Sequence, residues 1–228
     1  MTEGPLLVLC ALGPELWALR GGDWTGAEGP PVLARTGMGR RRASRSVGRL
    51  LAGEGYGALV VAGFGASVAP GTNPGEVIVA DAVEDGEGRR FRLDSAGPLA
   101  EALRARGLTV HTGLHHTADH VVRGHERAEL HAAGALAVDM EAAAVLAARA
   151  ELRPQLPAAV LRIVVDTPER ELIRPGTLPA GLRAWRSLRA AVPALTTWHR
   201  QAAAAAGHPA PAPHPPHPQP STLPQEAS

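Results

Sequence analysis

Short apolar runs recur along this sequence, and each ends in a glycine-rich or acidic turn followed by residues with helical spacing. No other feature restricts the fold as much. Strands alternating with helices predict an α/β domain with helices on both faces of a mainly parallel or mixed sheet. Pro5–Leu12, Pro31–Thr36, Ala58–Phe64, Glu76–Val83, Leu108–Leu114, Ala135–Met140 and Ala158–Val165 read as strands. Ala58–Phe64 is a continuous run rich in β-branched residues, the pattern of a strand covered on both faces. Arg40–Gly53, Asp94–Gly107, Arg123–Ala133, Glu141–Ala150 and Gly181–Ala205 read as helices. Asp94 is the expected N-cap and Gly107 the expected stop of the second of these.

The chain has 228 residues, enough for one compact domain. We place that domain at residues 1–200. From Gln201 to Ser228 the composition changes: eight of the 21 prolines fall there, and Glu226 is the one ionised side chain. Proline fixes φ and lacks a donor, so this segment is expected to be an extended, disordered tail. His208, His214 and His217 read as solvated spacers within it.

Net charge is +1, which gives no strong field to attract nucleic acid. Phe and Tyr together number three, so base-stacking platforms are few, and no nucleic-acid partner is expected. The single cysteine, Cys10, excludes an internal disulfide framework and a cysteine-rich zinc site. No basic segment precedes the first apolar run, and no apolar stretch approaches the ~20 residues that span a bilayer. A cytoplasmic protein is expected.

In α/β folds of this kind, sites form at the carboxyl ends of strands. The chemically informative residues stand there: Gly37-Met38-Gly39, Gly63-Phe64-Gly65-Ala66-Ser67, Asp139-Met140-Glu141 and Asp166-Thr167-Pro168-Glu169. On residue type alone, Asp166 serves a turn cap before Pro168 as well as a catalytic role. Glu141 serves as a favourable charge at a helix N-terminus as well as a ligand group.

Val138-Asp139-Met140-Glu141-Ala142-Ala143-Ala144 resembles the V-E/D-M-E-x-A-A signature of the nucleoside phosphorylase and nucleosidase superfamily. Thr36-Gly37-Met38-Gly39 is similar to its T/S-G-I/M-G loop. Gly63 to Pro70, followed by Pro74-Gly75-Glu76-Val77-Ile78-Val79-Ala80, resembles its G-x-A-G-G-L-x-P…P-G-D-V-V-V stretch. Arg162-Ile163-Val164-Val165-Asp166 resembles R-x-I-S-D. These matches occur in family order. They imply a single three-layer αβα domain around a twisted mixed sheet.

The resemblance also implies roles. Cleaving an N-glycosidic bond to a purine builds positive charge on the ribose and negative charge on the base. Asp166 is the implied general acid that protonates the base. Its place at the end of an apolar strand suggests a desolvated carboxyl. Glu141 is the implied acceptor for the ribose hydroxyls, with Met140 packing on the sugar. Glu15 is the implied activator of water, with Arg162 helping to orient the nucleophile. Phe64, Gly65, Ala66 and Val121 belong to the implied substrate pocket. If phosphate is the nucleophile, the Gly37 and Gly39 amides and Arg40 are the natural cradle. The chemistry needs no cofactor and no metal, although six histidines lie between His111 and His131.

The sequence departs from the family at Phe64 and Val165, where serine is usual, and at Ser67, where glycine is usual. The residues His131–Glu141 and Ala159–Leu172 resemble the hopanoid-associated phosphorylases, which implies adenosylhopane as substrate. With Phe64, Val164 and Val165 as apolar groups, a bulky apolar 5′ substituent is expected. A membrane contact through Trp17, Trp24, Trp185 or Trp198 is expected with it. The alternatives are a methylthioadenosine or S-adenosylhomocysteine nucleosidase, a futalosine hydrolase, or a non-catalytic nucleoside-binding protein. Relatives of this kind pair or trimerise, so a homo-oligomer is expected.

Overall fold

The computed structural model describes residues 4–53, 55–168 and 177–207. Eight strands alternate with six helices in the order β1 (Leu6–Cys10), α1 (Gly13–Arg20), β2 (Val32–Arg35), α2 (Arg40–Gly53), β3 (Ala58–Ser67), β4 (Val77–Asp85), β5 (Arg90–Arg92), α3 (Ala96–Arg104), β6 (Val110–Thr117), α4 (His125–Ala132), β7 (Ala135–Asp139), α5 (Ala142–Leu152), β8 (Ala158–Asp166) and α6 (Thr177–Gly207).

The sheet runs β2-β1-β3-β7-β6-β4-β5, with β8 pairing both β3 and β4. β8 is parallel to β3 and antiparallel to β4. β4 is parallel to β6, β6 to β7, and β7 returns antiparallel to β3 at Ala66–Ser67. These five pairings close β3, β8, β4, β6 and β7 into a ring. β1 and β2 extend from it in parallel through β3.

Two apolar layers cover the sheet, giving the αβα arrangement. On one face α1, α3 and α6 pack through Leu19, Leu99, Leu103, Leu188, Leu195 and Trp198. On the other, α2 and α5 pack through Val47, Leu51, Val145 and Leu146. Inside the ring sits a separate small cluster of Ile78, Ala137 and Val164. Side chains alternate along a strand, so residues two positions away share a face. Arg162 lies two residues before Val164 and Asp139 two residues after Ala137. Both are thereby turned into the ring.

Most strands fall where the apolar runs place them, and α2 begins and ends as the spacing predicts. The cap of α3 is Ser95 rather than Asp94, and the Ser95 hydroxyl bonds the Ala158 carbonyl instead of its own helix. α1 is a helix that the apolar spacing does not single out. Here Pro14 occupies the first turn, where its missing N–H costs nothing. α6 begins before Gly181 and runs two residues past the Ala205 end read from the sequence, so residues 201–207 belong to the helix and not to a tail starting at Gln201. The alanines there favour helix, and proline becomes frequent only beyond them. The remainder of the proposed tail, with its three histidines, and Glu169 lie outside the described residues.

The tryptophans do not form one surface. Trp198 is a core residue, 1% exposed. Trp24 packs against the same layer and donates its indole N–H to the Leu19 carbonyl. Val164 faces the ring interior rather than the end of the sheet, because it and Val165 alternate. Among the described residues no helix is long and apolar enough to cross a membrane.

Trp198 is the largest fully buried side chain. Trp198→Ala is expected to cost about 3–5 kcal/mol, the usual range for deleting a buried aromatic. Urea unfolding at constant m-value measures it.

Candidate active site

A cleft of about 210 Å³ opens where the strands end. The β1–α1 junction contributes Leu12 and Glu15, and the turn after β2 contributes Met38. Phe64, Gly65 and Ala66 come from the end of β3. Met140 and Glu141 follow β7, and Val165 and Asp166 end β8. His120, Val121 and Val122 form one wall, and Arg127 of α4 stands behind them. Residues far apart in the chain meet here because every contributing strand points the same end at the cleft.

Glu15 is buried, yet three backbone N–H groups reach its carboxylate. Oε2 accepts from Ala11 at 2.8 Å and Leu12 at 2.6 Å, and Oε1 accepts from Phe64 at 2.6 Å. Burial pushes its pKa up, and these bonds together with the Arg162 charge counter only part of the rise. Room for the carboxylate depends on Gly63: a Cβ there would stand 2.6 Å from Oε1.

A buried ion pair joins Asp139, which lines the cleft, to Arg162 behind it. Arg162 donates from Nε to Asp139 Oδ2 at 3.0 Å, and its Nη2 bonds the same oxygen. Burial alone would raise the Asp139 pKa. The Arg162 and His115 charges and their hydrogen bonds together outweigh that and hold the carboxyl far below the usual range. Asp139 also accepts from the Thr117 hydroxyl at 2.8 Å and from the Glu141 and Ala142 amides at 3.1–3.3 Å. Thr117 in turn accepts from the Ala143 amide at 3.0 Å. The first orphan donors of α5 are thus satisfied by side chains, which fixes the head of the helix. His115 is fully buried, with Nε2 3.4 Å from Asp139.

Glu141 stands at that helix head. Its Oε1 accepts from the Gly39 amide at 2.8 Å. Burial and then the nearby Asp139 charge raise its pKa, against the opposing pull of Arg162. Asp166 is buried as well and is gripped by Arg127: Nη2 to Oδ2 at 2.6 Å and Nη1 to Oδ1 at 3.3 Å.

The structure brings Glu15, Phe64, Gly65, Ala66, Val121, Met140, Glu141 and Asp166 to one cleft, as the sequence reading requires. The structure changes three of these readings. Arg162 does not line the cleft; its guanidinium is turned into the ring and held by Asp139. Asp166 is buried as its place at a strand end suggests, but the fold also carries Arg127 onto it from 39 residues away. The phosphate cradle is not assembled: the Gly39 amide is taken by Glu141, and Arg40 pairs with Glu87 at 3.0 Å. Gly37, in the same turn, is not among the residues that line the cleft. Arg40 borders a separate cavity of about 330 Å³ that meets the cleft at His120.

Arg127 is the residue the sequence does not single out, and Asp139 and Gly63 stand within its motifs without a role of their own. A buried arginine on a helix of mixed polarity leaves no periodic signal. Gly63 was visible within its motif but not as the partner of Glu15. The histidines disperse: His111 pairs with Glu76, His120 with Asp119 and Glu126, and His125 with Glu129. Ser67, the departure from glycine, is buried and bonds the Leu136 and Ala69 carbonyls.

The family described as the Phosphorylase superfamily matches residues 15–180. No curated protein sequence matches the chain. Among solved structures, the chain is similar to the 5′-methylthioadenosine/S-adenosylhomocysteine nucleosidase of Neisseria meningitidis in complex with methylthio-immucillin-A. That similarity has a TM-score of 0.70 at 20% identity, covering 85% of this chain and 98% of that one. It is also similar to the futalosine hydrolase of Helicobacter pylori, with a TM-score of 0.72 at 15% identity, covering 86% and 98%. The Campylobacter jejuni methylthioadenosine nucleosidase gives 0.72 at 14%, covering 87% and 99%. At these identities the likeness concerns the fold.

Asp139→Asn is expected to destabilise the protein by about 3–5 kcal/mol, because it leaves Arg162 buried and charged without its counterion. Chemical denaturation checks this, and a loss below ~1 kcal/mol would show that the pair contributes little.

Proposed function

The chain belongs to the phosphorylase superfamily, and from that premise we propose that it hydrolyses the N-glycosidic bond of an adenine nucleoside with an apolar 5′ substituent. The observation that carries this reading is the convergence of four buried carboxylates on one small cleft, with Asp139 held by Arg162, and Glu15, Glu141 and Asp166 placed beside it.

In this reading Glu141 accepts hydrogen bonds from the ribose hydroxyls. Those bonds strengthen as the sugar becomes oxocarbenium-like, so they lower the barrier rather than merely hold the substrate. Met140, Phe64 and Val121 pack on the nucleoside. As the bond breaks, its electron pair passes to the base, and Asp166 delivers a proton to a base nitrogen. Glu15 takes a proton from the water that attacks the anomeric carbon. Its raised pKa suits a general base, which works best near the operating pH. Arg162 acts at one remove, by fixing Asp139 and hence Glu141. Water is preferred to phosphate because Arg40 and the Gly39 amide are already engaged elsewhere.

The 5′ substituent is read from the rim. Met38 and Val121 line the cleft yet are 57% and 59% exposed. Two large apolar side chains at a mouth invite an apolar group, each Å² buried being worth ~25 cal/mol. The cleft is smaller than the ~300–1,000 Å³ of ordinary ligand sites, so a large substituent lies across the rim rather than inside. Adenosylhopane is the substrate of this kind that the sequence resemblance singles out. The Neisseria protein's ligand, methylthio-immucillin-A, favours a second reading in which the substituent is a methylthio group.

The test is incubation with adenosylhopane, methylthioadenosine and inosine, each with and without phosphate, while free base is followed. The expected result is base release without phosphate from the two apolar-substituted nucleosides and little from inosine. Strict dependence on phosphate would overturn hydrolysis. Binding without release would make the chain a nucleoside-binding protein.

The pH profile gives a second check. A base must be ionised to act, and burial raises the Glu15 pKa. The acid limb of kcat/KM is therefore expected above ~4.3, the ordinary glutamate value. Activity should fall as pH drops through that limb, and Glu15→Gln should remove most of the rate at every pH.

A further inference from the structure

We propose that Arg127 is a positioning residue for Asp166, gripping one carboxylate oxygen and presenting the other to the base; this rests on the reading of Asp166 as proton donor. Arg127 is the buried residue of α4, 2% exposed, and its side chain reaches across to the end of β8. The two contacts are unequal. Nη2–Oδ2 is 2.6 Å, a tight charge-assisted bond, whereas Nη1–Oδ1 is 3.3 Å, beyond the ~2.7–2.9 Å usual for such pairs. Oδ1 is therefore the oxygen a base can take with least loss. The same guanidinium donates from Nε to the Val122 carbonyl at 3.2 Å, and Val122 lines the cleft beside Val121. One planar fork thus sets both the acid and the wall that faces the base.

The pairing also has a direction along the reaction. When the glycosidic electron pair moves onto the base and the Oδ1 proton follows it, Asp166 is left as a carboxylate. A guanidinium holds a carboxylate more strongly than a neutral carboxyl. The Arg127 interaction therefore grows as the proton leaves, and its loss should fall on kcat rather than KM.

The experiment measures kcat and KM for Arg127→Met, Arg127→Lys, Asp166→Asn and the double variant Arg127→Met/Asp166→Asn, on whichever nucleoside the unaltered enzyme cleaves. Circular dichroism confirms that each is folded. Arg127→Met is expected to lower kcat about 10²-fold with KM within about threefold, the scale of a misplaced catalytic group. Arg127→Lys should recover about tenfold of that loss. In the Asp166→Asn background, Arg127→Met should cost nothing further, because a residue that acts through Asp166 has nothing left to position. If Arg127→Met does not fold, Arg127→Lys against Arg127→Lys/Asp166→Asn makes the same comparison. Near-normal kcat, a loss carried by KM, or losses that multiply would overturn the proposal while leaving the functional reading intact. No base release by the unaltered enzyme from any of the three nucleosides would remove both.

Discussion

The ion pair between Arg162 and Asp139 is the constraint on which the site depends. Each residue is turned into the ring by strand alternation, Arg162 from β8 and Asp139 from β7. Neither charge is tolerable there alone, since removing a buried ion from water costs several kcal/mol. Together they offset each other, and the remaining acceptor capacity of Asp139 is used by Thr117 and the head of α5. That helix head sets where Glu141 stands. Gly65 belongs to the same device: a Cβ there would lie 2.9–3.2 Å from the Arg162 side chain.

Around this fixed centre the cleft collects carboxylates whose environments differ. Glu15 receives only backbone N–H groups and Glu141 one; for both, burial outweighs those bonds and pKa rises. Asp139 has an arginine, and its pKa falls. Groups pushed apart in this way can divide acid, base and binding roles within one small volume. The cost is held by the two apolar layers, which keep the strand ends fixed so that the carboxylates cannot relax into solvent.

The strands were legible because each is a run of apolar residues with a visible stop, and α2 because its apolar face recurs at helical spacing. Glu15, Glu141 and Asp166 were legible as carboxylates at strand ends. Their partners were not. Nothing local distinguishes Arg162 pairing with Asp139 from Arg162 orienting a nucleophile; that choice is made by ring closure through β8. Arg127 is 39 residues from Asp166 in sequence, and only the docking of α4 joins them. The Gly39 amide looked open to phosphate because its acceptor, Glu141, lies 102 residues on. β5 is three residues long, too short to give a pattern. Local chemistry survives in sequence, whereas pairings across the ring are tertiary.

The central claim is that water, activated at Glu15, attacks the anomeric carbon of a bound purine nucleoside. Brief turnover in ¹⁸O-labelled water without phosphate, with the sugar reduced by borohydride at once so that its anomeric oxygen cannot exchange with solvent and then analysed by mass spectrometry beside an exchange control with unlabelled sugar, tests it most directly. The account predicts one ¹⁸O on the anomeric carbon of every sugar released, and loss of that product with Glu15→Gln. An unlabelled sugar, or a sugar 1-phosphate formed only when phosphate is supplied, would contradict it.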